Sequence, residues 1–247
     1  MIRVKTDAEI QKMRVAGGIV RDTLEYVGRH IKAGMTTKEV DTLVHDYIVG
    51  CGAVPSELGY CGYPGSACVS INEVVVHGIP GDRVIKDGDI VSVDITAEKD
   101  GYQGDACRTF CIGNVSPEKR KLVKVTEECF FQAVDNLRAG TPLYDIGDYV
   151  QQHAEANGFG VVRAYTGHGI GKEMHEDPSV PNYGRKGTGV RLRANTVICI
   201  EPMITLGDYR VKTLSDGWTA VTVDNSPAAH YENTVVITDD GVEILTL

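Results

Sequence analysis

Ile90-Val91-Ser92-Val93-Asp94-Ile95-Thr96 reads as a β-strand with one residue out of place. Alternation puts Val91, Val93 and Ile95 on one face and Ser92, Asp94 and Thr96 on the other. A carboxylate in such a run costs several kcal/mol unless it meets a cation, a proton or hydrogen-bond donors. The polar face therefore looks into a cavity. A hairpin pivoting at Lys99-Asp100 lays Asp94 opposite Asp105, and two carboxylates so placed repel unless a cation or proton lies between them.

A second strand-like run, Thr196-Val197-Ile198-Cys199-Ile200-Glu201, also delivers a carboxylate, directly before Pro202. Glu232 follows in His230-Tyr231-Glu232-Asn233-Thr234, and His168 and His77 lie in segments read as glycine-bearing turns, Gly167-His168-Gly169-Ile170 and His77-Gly78-Ile79. His175 comes seven residues after His168. Asp94, Asp105, His168, Glu201 and Glu232 together form a hard, oxygen-rich donor set that suits Mn, Fe(II) or Co better than a thiolate-type zinc centre. Two ions can share bridging carboxylates, and a water between them is acidified enough to act as a nucleophile near neutral pH. Hydrolysis is the expected chemistry.

Outward from these runs, the pattern is helical. Thr6 with Glu9 forms a capping box, after which Ile10, Met13, Gly17, Val20, Leu24, Val27 and Ile31 recur at helical spacing up to Gly34. A second box, Thr36 with Glu39, opens a helix carrying Val40, Leu43, Val44, Tyr47 and Ile48 that ends near Gly50 to Gly52. Ser116-Pro117-Glu118 starts a third helix, with proline in the first turn. Lys32-Ala33-Gly34 matches Arg138-Ala139-Gly140 at an offset of 106, as do Val40 with Ile146, Val44 with Val150 and Gly52 with Gly158. The strands carrying Asp94 and Glu201 follow at an offset of 107. The expectation is an internal duplication, a first half of about 1–113 and a second of about 114–247, packed as a single domain of α+β class with helices outside a curved antiparallel sheet.

Bulk properties narrow the function. The 247 residues carry a net charge of -9, and no basic stripe extends beyond short clusters such as Lys119-Arg120-Lys121, which argues against a nucleic-acid site. No run approaches the ~18 apolar residues of a membrane span, and no signal-like segment opens the chain, so a cytoplasmic protein is expected. Seven cysteines without a C-x-x-C pair point to reduced thiols. Gly167-His168-Gly169-Ile170-Gly171-Lys172 is a poor phosphate loop because Glu173 stands where Ser or Thr is needed, and neither H-E-x-x-H nor G-x-S-x-G occurs.

At these residues the chain resembles the type I methionine aminopeptidases over essentially its whole length. The resemblance is carried by Ser70 through Pro80, Asp94 through Asp105, Gly167 through Gly171 with His175-Glu176-Asp177-Pro178, Glu201-Pro202-Met203, Asp216-Gly217-Trp218 and Tyr231-Glu232-Asn233-Thr234. It implies the pita-bread fold, two pseudo-symmetric halves around a dinuclear centre of Co, Mn, Fe(II) or Zn. By the same resemblance Asp105 and Glu232 bridge the metals, Asp94 chelates one, and His168 with Glu201 complete the other. Glu201 shuttles a proton to the leaving amine, His77 steadies the scissile nitrogen, His175 steadies the carbonyl oxygen, and Thr96 helps place the free amino group.

The family's methionine pocket maps onto Tyr60, Tyr63, Cys68 and Trp218, a sulfur and aromatic wall suited to a thioether. Two positions depart from the family: Met174 stands where an aromatic is frequent, and Glu57 stands where many members have a small or apolar residue. The implied partners are a peptide or nascent-chain N-terminus and a transient contact with the ribosome; the implied state is a monomer. Two competing readings are a related peptidase of the aminopeptidase P or prolidase kind, which usually carries an extra N-terminal domain, and a non-enzymatic binding module of the same fold, which typically has lost ligands.

Overall fold

The computed structural model describes all 247 residues. Helix α1 (Asp7–His30) starts at the capping box: Glu9 N–H donates to Thr6 Oγ1 at 3.3 Å, and Thr6 N–H donates to Glu9 Oε2 at 2.8 Å. That backbone bond is the main reason the Glu9 carboxyl is held down to about 2. The helix ends at His30 rather than at Gly34. Ile31 turns extended and packs its side chain against the core, while Gly34, at φ 95°, donates its N–H to Ile85 O. Helix α2 (Thr37–Gly50) repeats the capping box with Thr36 and Glu39. Helix α3 (Pro117–Val134) is capped by Ser116 with proline at its start, and α4 (Tyr144–Ala156) lies against it.

A nine-stranded sheet, antiparallel at every pairing, forms the centre. Its spine runs through Ile90–Lys99, Tyr102–Cys111, Glu232–Ile237, Val197–Ile200 and Gly167–Gly169 in that spatial order. Two small three-stranded sheets flank it, one built on Met203–Thr205 and one containing Val74–Val76. The hairpin at residue 100 differs from expectation. Lys99 pairs with Tyr102, Thr96 faces Asp105 and Asp94 faces Cys107, so the turn is Asp100-Gly101. Both turn residues have positive φ, 52° and 79°, as a two-residue primed turn requires, and Asp-Gly tolerates that better than Lys-Asp. The register moves by two, which preserves the face. Asp94 and Asp105 remain on one side of the sheet as diagonal neighbours.

Two apolar clusters support the sheet. One, of 17 buried residues, draws only on residues 20–112 and lies under α1 and α2. The other, of 24, takes all but Ile90 from residues 115–237 and lies under α3 and α4. Helix α1 seats on the 102–111 strand through two glycines: a Cβ on Gly104 would stand 2.6 Å from Gly17 N, and one on Gly17 would stand 2.4 Å from Leu245 O. All seven cysteines are free, and no helix is long and apolar enough to cross a membrane.

Candidate metal and peptide site

The sheet order places one metal-capable side chain on, or just beyond, each of its five spine strands. Asp94 comes from 90–99, Asp105 from 102–111, Glu232 from 232–237, Glu201 from the residue after 197–200, and His168 from 167–169. Asp94 sits in mid-strand, whereas Glu201 lies just past its strand end, where Asn182 Nδ2 donates to its carbonyl at 2.8 Å. His168 is in a short strand rather than a turn. Its flanking glycines serve close packing, since a Cβ on Gly167 would lie 2.4 Å from Cys199 O and one on Gly169 would lie 2.1 Å from Asp177 O.

These residues line one cavity of about 160 Å³ together with Thr96, His77, His175, Tyr60, Tyr63, Cys68, Met174, Trp218 and Glu57. Every side chain singled out from the sequence reaches it. His168 Nδ1–H donates to Gly169 O at 2.9 Å, which leaves the Nε2 lone pair facing Asp105 Oδ2 at 3.6 Å and Glu201 Oε1 at 3.8 Å. His175 Nδ1 and Tyr60 OH are 2.9 Å apart at the exposed mouth, and the His168 and His175 ring centroids lie 4.2 Å apart with the planes tilted by 49°. His77 occupies φ 58°, a conformation that is uncommon for a residue with a Cβ and that concentrates at functional sites. Its ring meets Tyr165 and Trp218 edge-on at 5.3 and 6.1 Å.

The rest of the lining is largely aromatic and sulfur-bearing. Tyr63 OH donates to Gly78 O at 2.9 Å, and its ring meets Trp218 edge-on at 5.1 Å. Asp216 Oδ1 accepts from the N–H groups of Trp218 and Thr219 at 2.9 Å each, holding the turn that presents the indole. Cys68, on the neighbouring strand Cys68–Ile71, pairs with Asp94.

The electrostatics lack a counter-charge. Burial, reinforced by mutual repulsion, pushes Asp105, Glu201 and Glu232 well above the usual carboxylate range, and burial raises Asp94 to about 7. Desolvation holds His77 and His168 down at about 4, so both imidazoles are neutral. No Lys or Arg lines the cavity, and the buried Glu232 Oε1 has no hydrogen-bond partner. Four carboxylates and a correctly tautomerised imidazole without a cation are a donor set that divalent ions fit. Donor atoms of Asp105, His168, Cys199 and Glu232 all lie within 4.8 Å of one another, as do those of Asp94, Cys107 and His230.

Several contributors were not read from the sequence. His230 is buried with Nε2 unpartnered, 3.7 Å from Glu232 Oε2 and 3.9 Å from Glu201 Oε2. Thr234 Oγ1 accepts from Asp105 N–H at 3.0 Å and donates back to Asp105 O at 2.9 Å. Arg108, on the far face, donates to Glu232 O at 2.6 Å and Asn233 Oδ1 at 2.7 Å, tying together the strands that carry Asp105 and Glu232. His230 was visible beside Glu232 in the chain. The other two act across strand pairs that only the fold reveals.

A carboxylate- and imidazole-lined cavity on a curled antiparallel sheet fits the class of metal-dependent hydrolases, and comparison with known proteins agrees. Residues 11–239 match Metallopeptidase family M24, and the chain belongs to that family. It is therefore a metal-dependent peptidase of pita-bread fold. It is 55% identical to a methionine aminopeptidase of Clostridium acetobutylicum, covering 100% of this chain and 99% of the relative, and 48% identical to methionine aminopeptidase 1 of Bacillus subtilis at the same coverage. The crystal structure of a methionine aminopeptidase from Rickettsia prowazekii superposes with TM-score 0.98 at 42% identity over 100% of both chains. Prolidase from Pyrococcus furiosus shares the fold alone, with TM-score 0.79 at 22% identity over 99% of this chain and 65% of that one.

Proposed function

We propose that this chain removes an N-terminal methionine from peptides and nascent proteins whose second residue is small, using two divalent ions held by Asp94, Asp105, His168, Glu201 and Glu232. The observation that carries the reading is that one cavity, lined by no Lys or Arg, brings the carboxylates together with Tyr63, Cys68, Met174 and Trp218. The aromatic and sulfur-bearing part of the lining suits an unbranched thioether, which gains sulfur–aromatic contacts and has no hydrogen to donate. At about 160 Å³ the cavity is smaller than the roughly 300–1,000 Å³ of drug-sized sites, in keeping with one side chain as its guest.

When bound, the ions would supply Lewis acidity and a water acidic enough to attack a peptide carbonyl near neutral pH. The protein's own groups do the rest. His77, neutral and clamped between Tyr165 and Trp218, is placed to hydrogen-bond the scissile amide nitrogen. His175, oriented by Tyr60, is placed at the mouth to donate toward the carbonyl oxygen, where charge grows in the transition state. Glu201 is the proton carrier to the leaving amine, its carboxyl lying in the cavity with its affinity for a proton raised by burial and by the neighbouring Asp94 and Asp105.

The two apolar clusters, each nearly confined to one part of the chain, support a single domain that arose by duplication, with the ions at the junction. We place this protein in the cytoplasm as a monomer that meets nascent chains, through transient ribosome contact, as they emerge. The test is a peptide panel with Mn, Co, Fe(II) or Zn added: Met-Ala-Ser is cleaved in preference to Leu-Ala-Ser and Ala-Pro peptides. Preference for the X-Pro bond would overturn the reading in favour of a prolidase-type enzyme.

A further inference from the structure

His230 is a buried imidazole that the five-residue ligand set leaves unused. It is 2% exposed, and its Nε2 has no hydrogen-bond partner. Its place is built from two sides. The strand Ala228–His230 pairs with Met203–Thr205, which sets His230 opposite Met203, and Thr109 Oγ1 accepts the His230 N–H at 3.1 Å and donates to its carbonyl at 2.7 Å. Ser92 Oγ lies 2.7 Å from the same hydroxyl, whose one proton already goes to His230 O, so Ser92 is the donor there. The polar face of the Asp94 strand thus fixes the backbone that carries this ring.

The ring stands among the carboxylates as His168 does. His168 Nε2 faces Asp105 Oδ2 at 3.6 Å and Glu201 Oε1 at 3.8 Å, while His230 Nε2 faces Glu232 Oε2 at 3.7 Å and Glu201 Oε2 at 3.9 Å. Glu201 therefore turns one oxygen to each imidazole. Contacts of this length are too long for hydrogen bonds. They fit two donors on one ion, because donors about 2.1 Å from a shared metal sit roughly 3.0–4.2 Å apart. Donor atoms of Asp94, Cys107 and His230 also gather within 4.8 Å of one another. The Cys107 thiol is engaged with His230 O at 3.7 Å, which leaves Asp94 and His230 as the free donors of that group. We propose that His230 is a sixth protein ligand of the metal pair, binding through Nε2 the ion shared by Asp94 and Glu232, so that each ion carries one imidazole. This rests on the two-ion reading above. A second imidazole softens the donor set and strengthens its preference for Co or Fe(II) over Mn.

The test locates the ions and weighs the ligand apart from turnover. In crystals of the cobalt-loaded wild-type chain, anomalous scattering places the ions, and His230 Nε2 lies about 2.0–2.3 Å from one of them. Calorimetric titration of metal-free protein with Co and with Mn supplies the second readout. His230→Gln weakens one of the two cobalt-binding steps at least about tenfold and the matching manganese step by less, so the Co-over-Mn preference of that step falls. Two ions in the cavity with His230 Nε2 more than ~3 Å from both would overturn the proposal and leave the two-ion reading standing. An unchanged Co-over-Mn preference in His230→Gln would overturn it too, because a ring that only orients Glu201 weakens both metals alike. The wild-type crystal decides alone where the variant does not fold. A cavity that takes up neither Co nor Mn sinks the two-ion reading and the proposal together.

Discussion

When divalent ions are stripped with a chelator, the thermal stability of this chain falls as pH is raised from about 6 to 8.5. The Asp94 carboxyl titrates at about 7 in the fold against 3.8 for the free side chain, and Asp105, Glu201 and Glu232 are raised as well. A raised carboxyl leaves the folded state holding more protons than the unfolded chain between the two values. Its stabilising contribution is thus complete below the unfolded value and lost as pH rises through the folded one. At ~1.4 kcal/mol per unit, Asp94 alone accounts for an upper figure of about 4 kcal/mol across its window. That loss begins at 3.8 and is complete just above 7, so pH 6 to 8.5 captures only about one unit of it, ~1.4 kcal/mol; with roughly 2–4 °C per kcal/mol for a domain of this size, Asp94 alone lowers the metal-free melting point by about 3–6 °C over that range. Ions at 100 times Kd restore ~2.7 kcal/mol per site, and more at high pH, where the carboxylates need no deprotonation. Scanning calorimetry at matched ionic strength, with and without Mn, reads both effects; Asp94→Asn in the metal-free form flattens the pH slope. A metal-free melting point that holds level or rises over this range, or equal metal stabilisation at both ends, would refute the reasoning.

Replacing His77 by Ala lowers kcat about 100-fold while the metal content measured by elemental analysis stays constant; an equal loss of both would make His77 a ligand or a structural residue. Gly104→Ala forces a Cβ to 2.6 Å from Gly17 N and unseats α1, costing about 1–3 kcal/mol by urea denaturation. Removing the main cap of the same helix with Thr6→Ala costs about 0.5–2 kcal/mol in the same assay. A neutral result in either variant would show that α1 is not held where Gly17, Gly104 and the capping box put it.

What the sequence reveals here depends on how local the signal is. The capping boxes at Thr6 and Thr36 are complete within four residues, and both were legible. Asp94 announced itself because it is the one charged residue in a strand run of Val, Ile, Ser and Thr. The partner across the hairpin was displaced by two because register depends on which two residues take the turn, and the positive-φ requirement favours Asp100-Gly101. The glycines around His168 suggested a turn, yet they exist so that the neighbouring backbones of Cys199 and Asp177 can approach. Thr234, Arg108 and Asn182 were not legible at all. Their partners lie 129, 124 and 19 residues away in the chain, and only the pairing of 232–237 with its neighbours brings the first two to their places.

The central claim, that this cavity hydrolyses the first peptide bond of a methionyl chain by means of the ions its carboxylates hold, is tested most directly by one titration. Metal-free protein receives Mn in steps, while bound metal per chain and the rate of methionine release from Met-Ala-Ser are followed together. The account predicts no release without metal, and release that grows as the site fills and is abolished by Asp105→Asn. Methionine release by the metal-free protein, or full activity in Asp105→Asn with the ions still bound, would contradict it.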